Sequence, residues 1–228
     1  MEKTKKFKAV IFDADGTLLD SISDIAAAMN KVLTGLGYPT YDEERYKEYV
    51  GDGIRELVKR AVPADRLKEW LQTGEKGDGI DGLVEEYRAI YDVQWRVNTK
   101  PYEGIPGLLD ELSLKKIKIG VLSNKMDEFT KTMVKELLPQ WEFTAVFGSR
   151  DGVPRKPDPA VPREIAGLMG IKPGDIVFVG DSGVDMQTAC RAGMYGVGVL
   201  WGLRDAAELQ ENGAKLLIEH PSQLMKLF

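Results

Sequence analysis

Two carboxylates, Asp13 and Asp15, stand directly after a four-residue apolar run in the segment KAVIFDADGTLLD, with Asp20 close behind. An apolar run that ends at a glycine turn reads as a strand buried on both faces, so these carboxylates emerge at its carboxyl end. Like charges about 4 Å apart repel by roughly 4 kcal/mol at an effective dielectric of 20. Something must neutralise them, and polar and charged residues gather after other apolar runs. Ser123, Asn124 and Lys125 follow the run KIKIGVL, Lys156 lies in RKPDP, and Asp181 and Asp185 lie in GDSGVD after the run IVFV. Asp13, Asp15 and Asp181 together make an oxygen donor set for a hard cation, Mg²⁺ foremost, which keeps waters and takes one or two carboxylates plus a substrate phosphate. The Ser123 hydroxyl and the Lys156 ammonium suit phosphate oxygens. An aspartate nucleophile beside a second carboxylate that donates a proton provides covalent catalysis through an aspartyl-phosphate.

Strands alternating with helices must position these groups. After the first strand, Ile22, Ile25, Ala26, Met29, Val32, Leu33 and Leu36 fall at helical spacing and end at Gly35, Gly37 and Pro39. Further helices are expected over 42–49, 53–61, 63–73 and 83–95, with GEKGDGIDG as a turn-rich loop and no convincing strand between 20 and 97. From Pro101 the pattern becomes helix 108–112, strand 116–124, helix 128–138, a strand at 145–147 and helix 161–169. A strand at 176–179, a helix at 187–192, a strand at 196–200 and a weak strand at 215–218 complete it. This alternation implies an α/β fold with a parallel sheet covered on both faces. The expected domains are an α/β core from residues 1–19 and 98–228 and a helical insert from 20–97. Ligands of such sheets bind at the carboxyl ends of the strands, where the polar residues above gather.

Composition narrows the function class. The chain has 228 residues, 43% hydrophobic and 29% charged, as expected for a globular protein with a sizeable core. A net charge of -5 argues against nucleic acid and against a membrane surface. The single Cys190 excludes an intrachain disulfide and fits a reducing compartment. Its segment MQTACRAGM reads as a helix with a buried, inert thiol. The apolar run after MEKTKKFK is too short for a signal peptide, and nothing approaches the ~18 apolar residues of a membrane span, so a cytoplasmic protein is expected.

The segments DADGT, Ser123-Asn124, Lys156-Pro157-Asp158-Pro159 and GDSGVD resemble, in order and placement, the four motifs of the haloacid dehalogenase superfamily, and within it the phosphoglycolate-phosphatase-like members. The resemblance covers essentially the whole chain. It implies a Rossmann-like core with a helical cap, and a Mg²⁺-dependent phosphatase acting on a small phosphorylated metabolite. It also implies roles. Asp13 is the nucleophile; Asp15 protonates the leaving alcohol, activates water and binds Mg²⁺ through its backbone carbonyl. Ser123 holds the transferring phosphoryl group, Lys156 neutralises charge on it and on Asp13, and Asp181 ligates the metal. Asp185 supports the site from behind, while Thr17 and Asn124 lie at the substrate. Dehalogenases of the superfamily lack the second carboxylate, so Asp15 favours phosphoryl transfer, and Asp15→Asn is expected to lose most turnover while keeping the fold. Two alternatives stand beside this reading: a β-phosphoglucomutase-like phosphomutase, against which Thr17 argues because mutase-like members tend to carry valine there, and a non-catalytic phospho-ligand-binding protein. A receiver domain fits poorly with a long helical insert after the first strand.

Other residues carry weaker expectations. Arg55, after the break Gly51-Asp52-Gly53, suits a substrate carboxylate bidentately, although the break also reads as a plain helix–helix turn. Lys125 is expected to face solvent and His220 to lie on the surface. EEYRAIYD reads as an exposed helix face, Trp70, Trp95 and Trp141 as packing residues, and Trp201 as a residue flanking the site.

Overall fold

The structure is a computed structural model that describes residues 6–73 and 79–228, the backbone alone over 69–73. In chain order its strands are β1 (Ala9–Phe12), β2 (Leu19–Asp20), β3 (Lys100–Pro101), β4 (Lys118–Met126), β5 (Ala145–Ser149), β6 (Ile176–Gly180), β7 (Tyr195–Val199) and β8 (Leu216–Ile218). The helices are α1 (Ile22–Gly35), α2 (Glu43–Tyr49), α3 (Ile54–Ala61), α4 (Ala64–Thr73), α5 (Gly79–Gln94), α6 (Ile105–Leu114), α7 (Asp127–Leu137), α8 (Ala160–Met169), α9 (Gly183–Ala192) and α10 (Ala206–Glu211). Short 3₁₀ turns occupy Pro173–Asp175 and Pro221–Leu227. The chain divides into two compact units, Met1–Asp20 with Lys100–Phe228, and Ser21–Thr99. Within the expected loop GEKGDGIDG, residues 74–78 lie outside the described residues, and 79–82 form the first turn of α5 rather than loop.

In the first unit a six-stranded sheet has the order β5-β4-β1-β6-β7-β8, every pairing parallel. The order reverses at β1, which places β1, β4 and β6 side by side at the switch point where open α/β sheets bind ligands. On one face Ala9, Ile11, Leu122, Ile176 and Phe178 pack against Val161, Ile165 and Met169 of α8 and Ala189 and Ala192 of α9. The alternate residues Val10, Phe12, Val177 and Val179 are equally buried, so β1 and β6 have no solvent face. Fully burying such side chains contributes about 1.5–3 kcal/mol each, which anchors the strand ends that carry polar groups.

Two features escaped the pattern reading. β2 and β3 form a two-residue antiparallel ribbon, Leu19 opposite Pro101 and Asp20 opposite Lys100. α10 starts at an N-cap, Asp205, whose side chain accepts from the Glu208 N–H.

The second unit contains α1–α5. α1 buries Ile25, Met29, Val32 and Leu33 and packs along α5, whose Tyr87 and Tyr91 are buried and stacked while Glu85, Glu86 and Asp92 are exposed. Asp24 of α1 is fully buried and accepts from the backbone N–H groups of Asn98 and Thr99, each at 2.8 Å, and from the Thr99 hydroxyl at 2.8 Å. Burial works to raise its carboxyl, but these bonds outweigh that and hold it below the usual range. Trp95 is buried, as a packing residue should be. Among the described residues no helix is long and apolar enough to cross a membrane.

Candidate active site

Asp13 follows β1, and its backbone N–H continues the ladder to the Val179 carbonyl at 2.9 Å. Its Oδ1 accepts from the Ala14 N–H at 2.7 Å and lies 2.8 Å from Lys156 Nζ. The turn beyond it is tight: the Ala14 carbonyl accepts from Thr17, Leu18 and Leu19, with Gly16 at φ 80°. Only glycine fits there, because a Cβ at position 16 would fall on the Asp181 carboxylate. Thr17 donates weakly to Asp181 Oδ1 at 3.4 Å, and the Leu203 N–H donates to Asp181 Oδ2 at 2.8 Å. Trp201 flanks this turn through Nε1, which donates to the Thr17 carbonyl at 3.1 Å.

β6 delivers Asp181 directly and Asp185 through the first turn of α9. Ser182 caps α9 and Asp185 closes a reciprocal capping box, its Oδ2 accepting from the Ser182 hydroxyl at 2.6 Å and N–H at 3.1 Å. That box aims Asp185 Oδ1 at Lys156 Nζ, 2.7 Å away. Lys156 therefore bridges two aspartates with a side chain only 2% exposed. Asn124 holds the backbone of the lysine from both sides, Oδ1 accepting from its N–H at 3.0 Å and Nδ2 donating to its carbonyl at 3.2 Å. The Lys156–Pro157 peptide is cis.

β4 reaches the site through an irregular stretch. Its pairing with β5 is regular to Leu122–Phe147 and resumes at Met126–Ser149, so Ser123, Asn124 and Lys125 occupy a segment longer than its partner. Such irregularities re-aim side chains. Ser123 is buried, and its Oγ accepts from the Lys125 N–H at 3.1 Å.

Burial raises the Asp13 carboxyl well above the ordinary range; Lys156 opposes the rise, and Asp185 and Asp181 add to it. Asp181 is pushed up to about 7 by burial and by Asp185, against the pull of the Leu203 N–H. Burial works to lower the Lys156 ammonium, but Asp13 and Asp185 outweigh it and hold the group charged far into the alkaline range. In their immediate contacts four carboxylates, Asp13, Asp15, Asp181 and Asp185, face two ammonium groups, Lys125 and Lys156. Arg204 also acts on Asp181, and protons or a bound cation must supply the remaining difference. Asp13, Asp181 and Asp185 each bring an oxygen within 4.8 Å of the others, an acidic triad able to hold a metal. All three carboxylates also hold protein donors: Asp185 holds Lys156 and Ser182, Asp13 holds Ala14 and Lys156, and Asp181 holds Thr17 and Leu203; Mg²⁺ ordinarily takes one or two carboxylates. The donor set fits.

The structure brings together Asp13, Asp181, Asp185 and Lys156, with Thr17, Ser123 and Asn124 touching members of the group. Asp185 brings a third carboxylate to Asp13 and Asp181, and the Asp15 side chain, carried past the strand by the turn, pairs with Lys125. Two expectations are corrected. Lys125 is not solvent-facing: its side chain is 9% exposed and its Nζ lies 3.0 Å from Asp15 Oδ2. It stands two residues from Ser123 on an extended segment, and that spacing was the available signal. Cys190 is exposed rather than buried, because α9 buries Met186, Ala189 and Ala192 and turns position 190 away. Arg55 lies in the helical unit, ion-paired with Asp81. His220 is exposed, as expected, and Trp141 donates from Nε1 to Asp110 at 2.8 Å.

Comparison with known proteins agrees with this geometry. The family model for haloacid dehalogenase-like hydrolases matches residues 10–199. The chain belongs to the haloacid dehalogenase-like hydrolases. Two relatives of this hydrolase, both named phosphoglycolate phosphatase, come from Chromobacterium violaceum (34% identical, covering 98% of this chain and 97% of the relative) and Aquifex aeolicus (31% identical, covering 96% of each). A crystal structure of a protein from Lactobacillus delbrueckii subsp. bulgaricus matches the hydrolase at TM-score 0.85 and 29% identity, covering 97% of this chain and 98% of that one. A haloacid dehalogenase-like family hydrolase from Streptococcus pneumoniae shares the fold at TM-score 0.81 and 23% identity, covering 96% of this chain and 97% of that one.

Proposed function

We propose that this hydrolase is a Mg²⁺-dependent phosphomonoesterase that works through an aspartyl-phosphate, with 2-phosphoglycolate as its substrate. One observation carries the reading: a buried lysine, Lys156, bridges Asp13 and Asp185 at the sheet's switch point, with Asp181 completing the acidic triad. The names of the relatives support the choice of substrate.

When bound by Asp13, Asp181 and the Asp15 backbone carbonyl, Mg²⁺ supplies positive charge to the phosphoryl oxygens. Asp13 attacks phosphorus through Oδ2, since Oδ1 already accepts from Ala14 and Lys156. The bond between phosphorus and the alcohol oxygen breaks, and Asp15 gives that oxygen its proton. Water then attacks the phosphoryl group, passes a proton back to Asp15 and frees Asp13 and inorganic phosphate. Ser123 holds the transferring group by its hydroxyl. Lys156 offsets negative charge on the phosphoryl oxygens and on Asp13. Asp185 holds Lys156 in place, Asn124 fixes its backbone and Thr17 steadies Asp181, so Thr17 and Asn124 support the site from behind instead of contacting substrate. We also place the hydrolase in the cytoplasm, in keeping with its one free cysteine.

The experiment is inorganic phosphate release from 2-phosphoglycolate, glucose phosphates and nucleotides, each with Mg²⁺, with EDTA and with Asp13→Asn. A Mg²⁺-dependent signal that is lost in the variant and strongest with 2-phosphoglycolate is the expected result. Silence from a folded protein across the panel removes the phosphatase reading.

A further inference from the structure

The pairing of Lys125 with Asp15 calls for an explanation of its own. Both side chains are largely buried, at 9% and 11% exposure, and Nζ sits 3.0 Å from Oδ2. Neither position is set by chance of a loose loop. The Asp15 backbone is pinned within the turn in which Ala14 accepts three N–H groups and Gly16 donates to the Leu19 carbonyl at 2.9 Å. Lys125 is presented by the irregular stretch of β4, where Gly148 of the facing strand leaves room: a Cβ there would overlap the Lys125 carbonyl and the Asp127 backbone. The chain thus departs from regular strand geometry at the point where it turns a lysine toward the second carboxylate.

The two lysines divide the catalytic carboxylates between them. Lys156 touches Asp13 and Asp185, and Lys125 touches Asp15. An ammonium on one oxygen fixes the rotation of the carboxyl group and directs the other oxygen, Oδ1, for proton exchange.

We propose that Lys125 is a positioning residue for Asp15, holding Oδ2 so that Oδ1 carries the proton to the leaving alcohol. This inference rests on the phosphatase reading. In the step concerned, the bond from Asp13 to phosphorus forms, the bond from phosphorus to the alcohol oxygen breaks, and the proton passes from Asp15 Oδ1 to that oxygen. A poor leaving group needs the proton; a nitrophenolate departs without it. Loss of Lys125 therefore penalises alkyl esters and spares aryl esters, a pattern that neither loss of phosphate affinity nor general loosening of the fold produces.

The test measures kcat/KM, which reports the steps through cleavage of the ester bond, for 2-phosphoglycolate and p-nitrophenyl phosphate. The proteins are wild type, Lys125→Met and Lys125→Gln, and melting temperatures confirm that each is folded. General acid help is worth roughly 10²–10⁴-fold, and misplacement by about 1 Å costs of order 10²-fold. Lys125→Met is expected to lower kcat/KM for 2-phosphoglycolate about 30–100-fold and for p-nitrophenyl phosphate less than about 5-fold. Lys125→Gln, which keeps an uncharged donor one bond short of the lysine nitrogen, is expected to fall between Lys125→Met and wild type, nearer to Lys125→Met. Parallel losses for both esters, or no loss in either variant, overturn the positioning role while leaving the phosphatase intact. Wild-type protein that releases phosphate from neither ester overturns the phosphatase reading and this inference with it.

Discussion

Lys156→Met isolates the electrostatic core of the site. The methionine keeps most of the stem volume but removes a charge that makes contacts of 2.8 Å with Asp13 and 2.7 Å with Asp185. The Asp185 side chain is fully buried and Asp13 nearly so. Removing one partner of a buried ion pair costs about 3–5 kcal/mol, because the remaining charge is left in a poor solvent. Protonation of the stranded Asp13 relieves part of this, so the low end, about 3 kcal/mol, is the reasoned value at pH 7.5. For a chain of this size each kcal/mol moves the melting temperature by about 2–4 °C, which predicts a fall of roughly 6–12 °C. The sign of the pH dependence follows. Lys156 opposes the rise of the Asp13 carboxyl, so without it Asp13 is harder to ionise and is neutralised more readily at pH 5.5, and the deficit shrinks as pH falls. Adding Asp185→Asn removes one stranded charge while its carbonyl can still accept from Ser182, and should restore about half of the lost stability without restoring turnover. The assay is calorimetric melting in EDTA at pH 7.5 and 5.5. A single variant that melts within about 1 °C of wild type at pH 7.5, or a deficit that grows toward acid, refutes the reasoning.

Four further outcomes are expected. Asp181 titrates near 7 in the fold against an ordinary value of 3.8, so its ionisation costs stability that is lost progressively as pH rises through that window; Mg²⁺ should therefore raise the melting temperature more at pH 8 than at pH 5.5, and the reverse order in paired melts counts against Asp181 as a metal ligand. Gly16→Ala forces a side chain into a left-handed backbone and onto the Asp181 carboxylate, and calorimetric titration should show Mg²⁺ affinity reduced by more than about tenfold. Asp24→Ala strands the backbone N–H groups of Asn98 and Thr99, costing about 1–3 kcal/mol within the helical unit, and hydrogen exchange at those two amides should accelerate at least tenfold. Arg55→Ala removes an exposed ion pair with Asp81, worth about 0–1 kcal/mol, so calorimetric melting should move by less than about 4 °C.

The strands of the sheet were legible because each is an apolar run closed by polar or glycine residues, and the helical insert because its apolar residues keep a 3.6-residue period. The two-residue ribbon of β2 and β3 is too short to carry a period, and α10 announced itself only by Asp205 and Glu208, a capping signal without an apolar stripe of length. Cys190 departs from its expected burial for a related reason: on one short helix Ala189 is buried and Cys190 exposed, a step of about 100° that composition does not reveal.

At the site, residue types were readable and pairings were not. Asp13, Lys156 and Asp181 stand in short motifs whose chemistry is explicit, yet nothing local in the chain says that Asp185 meets Lys156 or that Lys125 meets Asp15. Those contacts depend on the irregular β4–β5 pairing and on the capping box of α9, both products of tertiary structure. Four carboxylates gathered at the ends of buried strands exceed the charge of Lys156, so protons or further cations must balance them. Lys125, in the motif segment and two residues from Ser123, was the nearest lysine able to meet that requirement. A lysine beside a site with excess negative charge should be assigned to solvent only after the charges around it have been balanced without it.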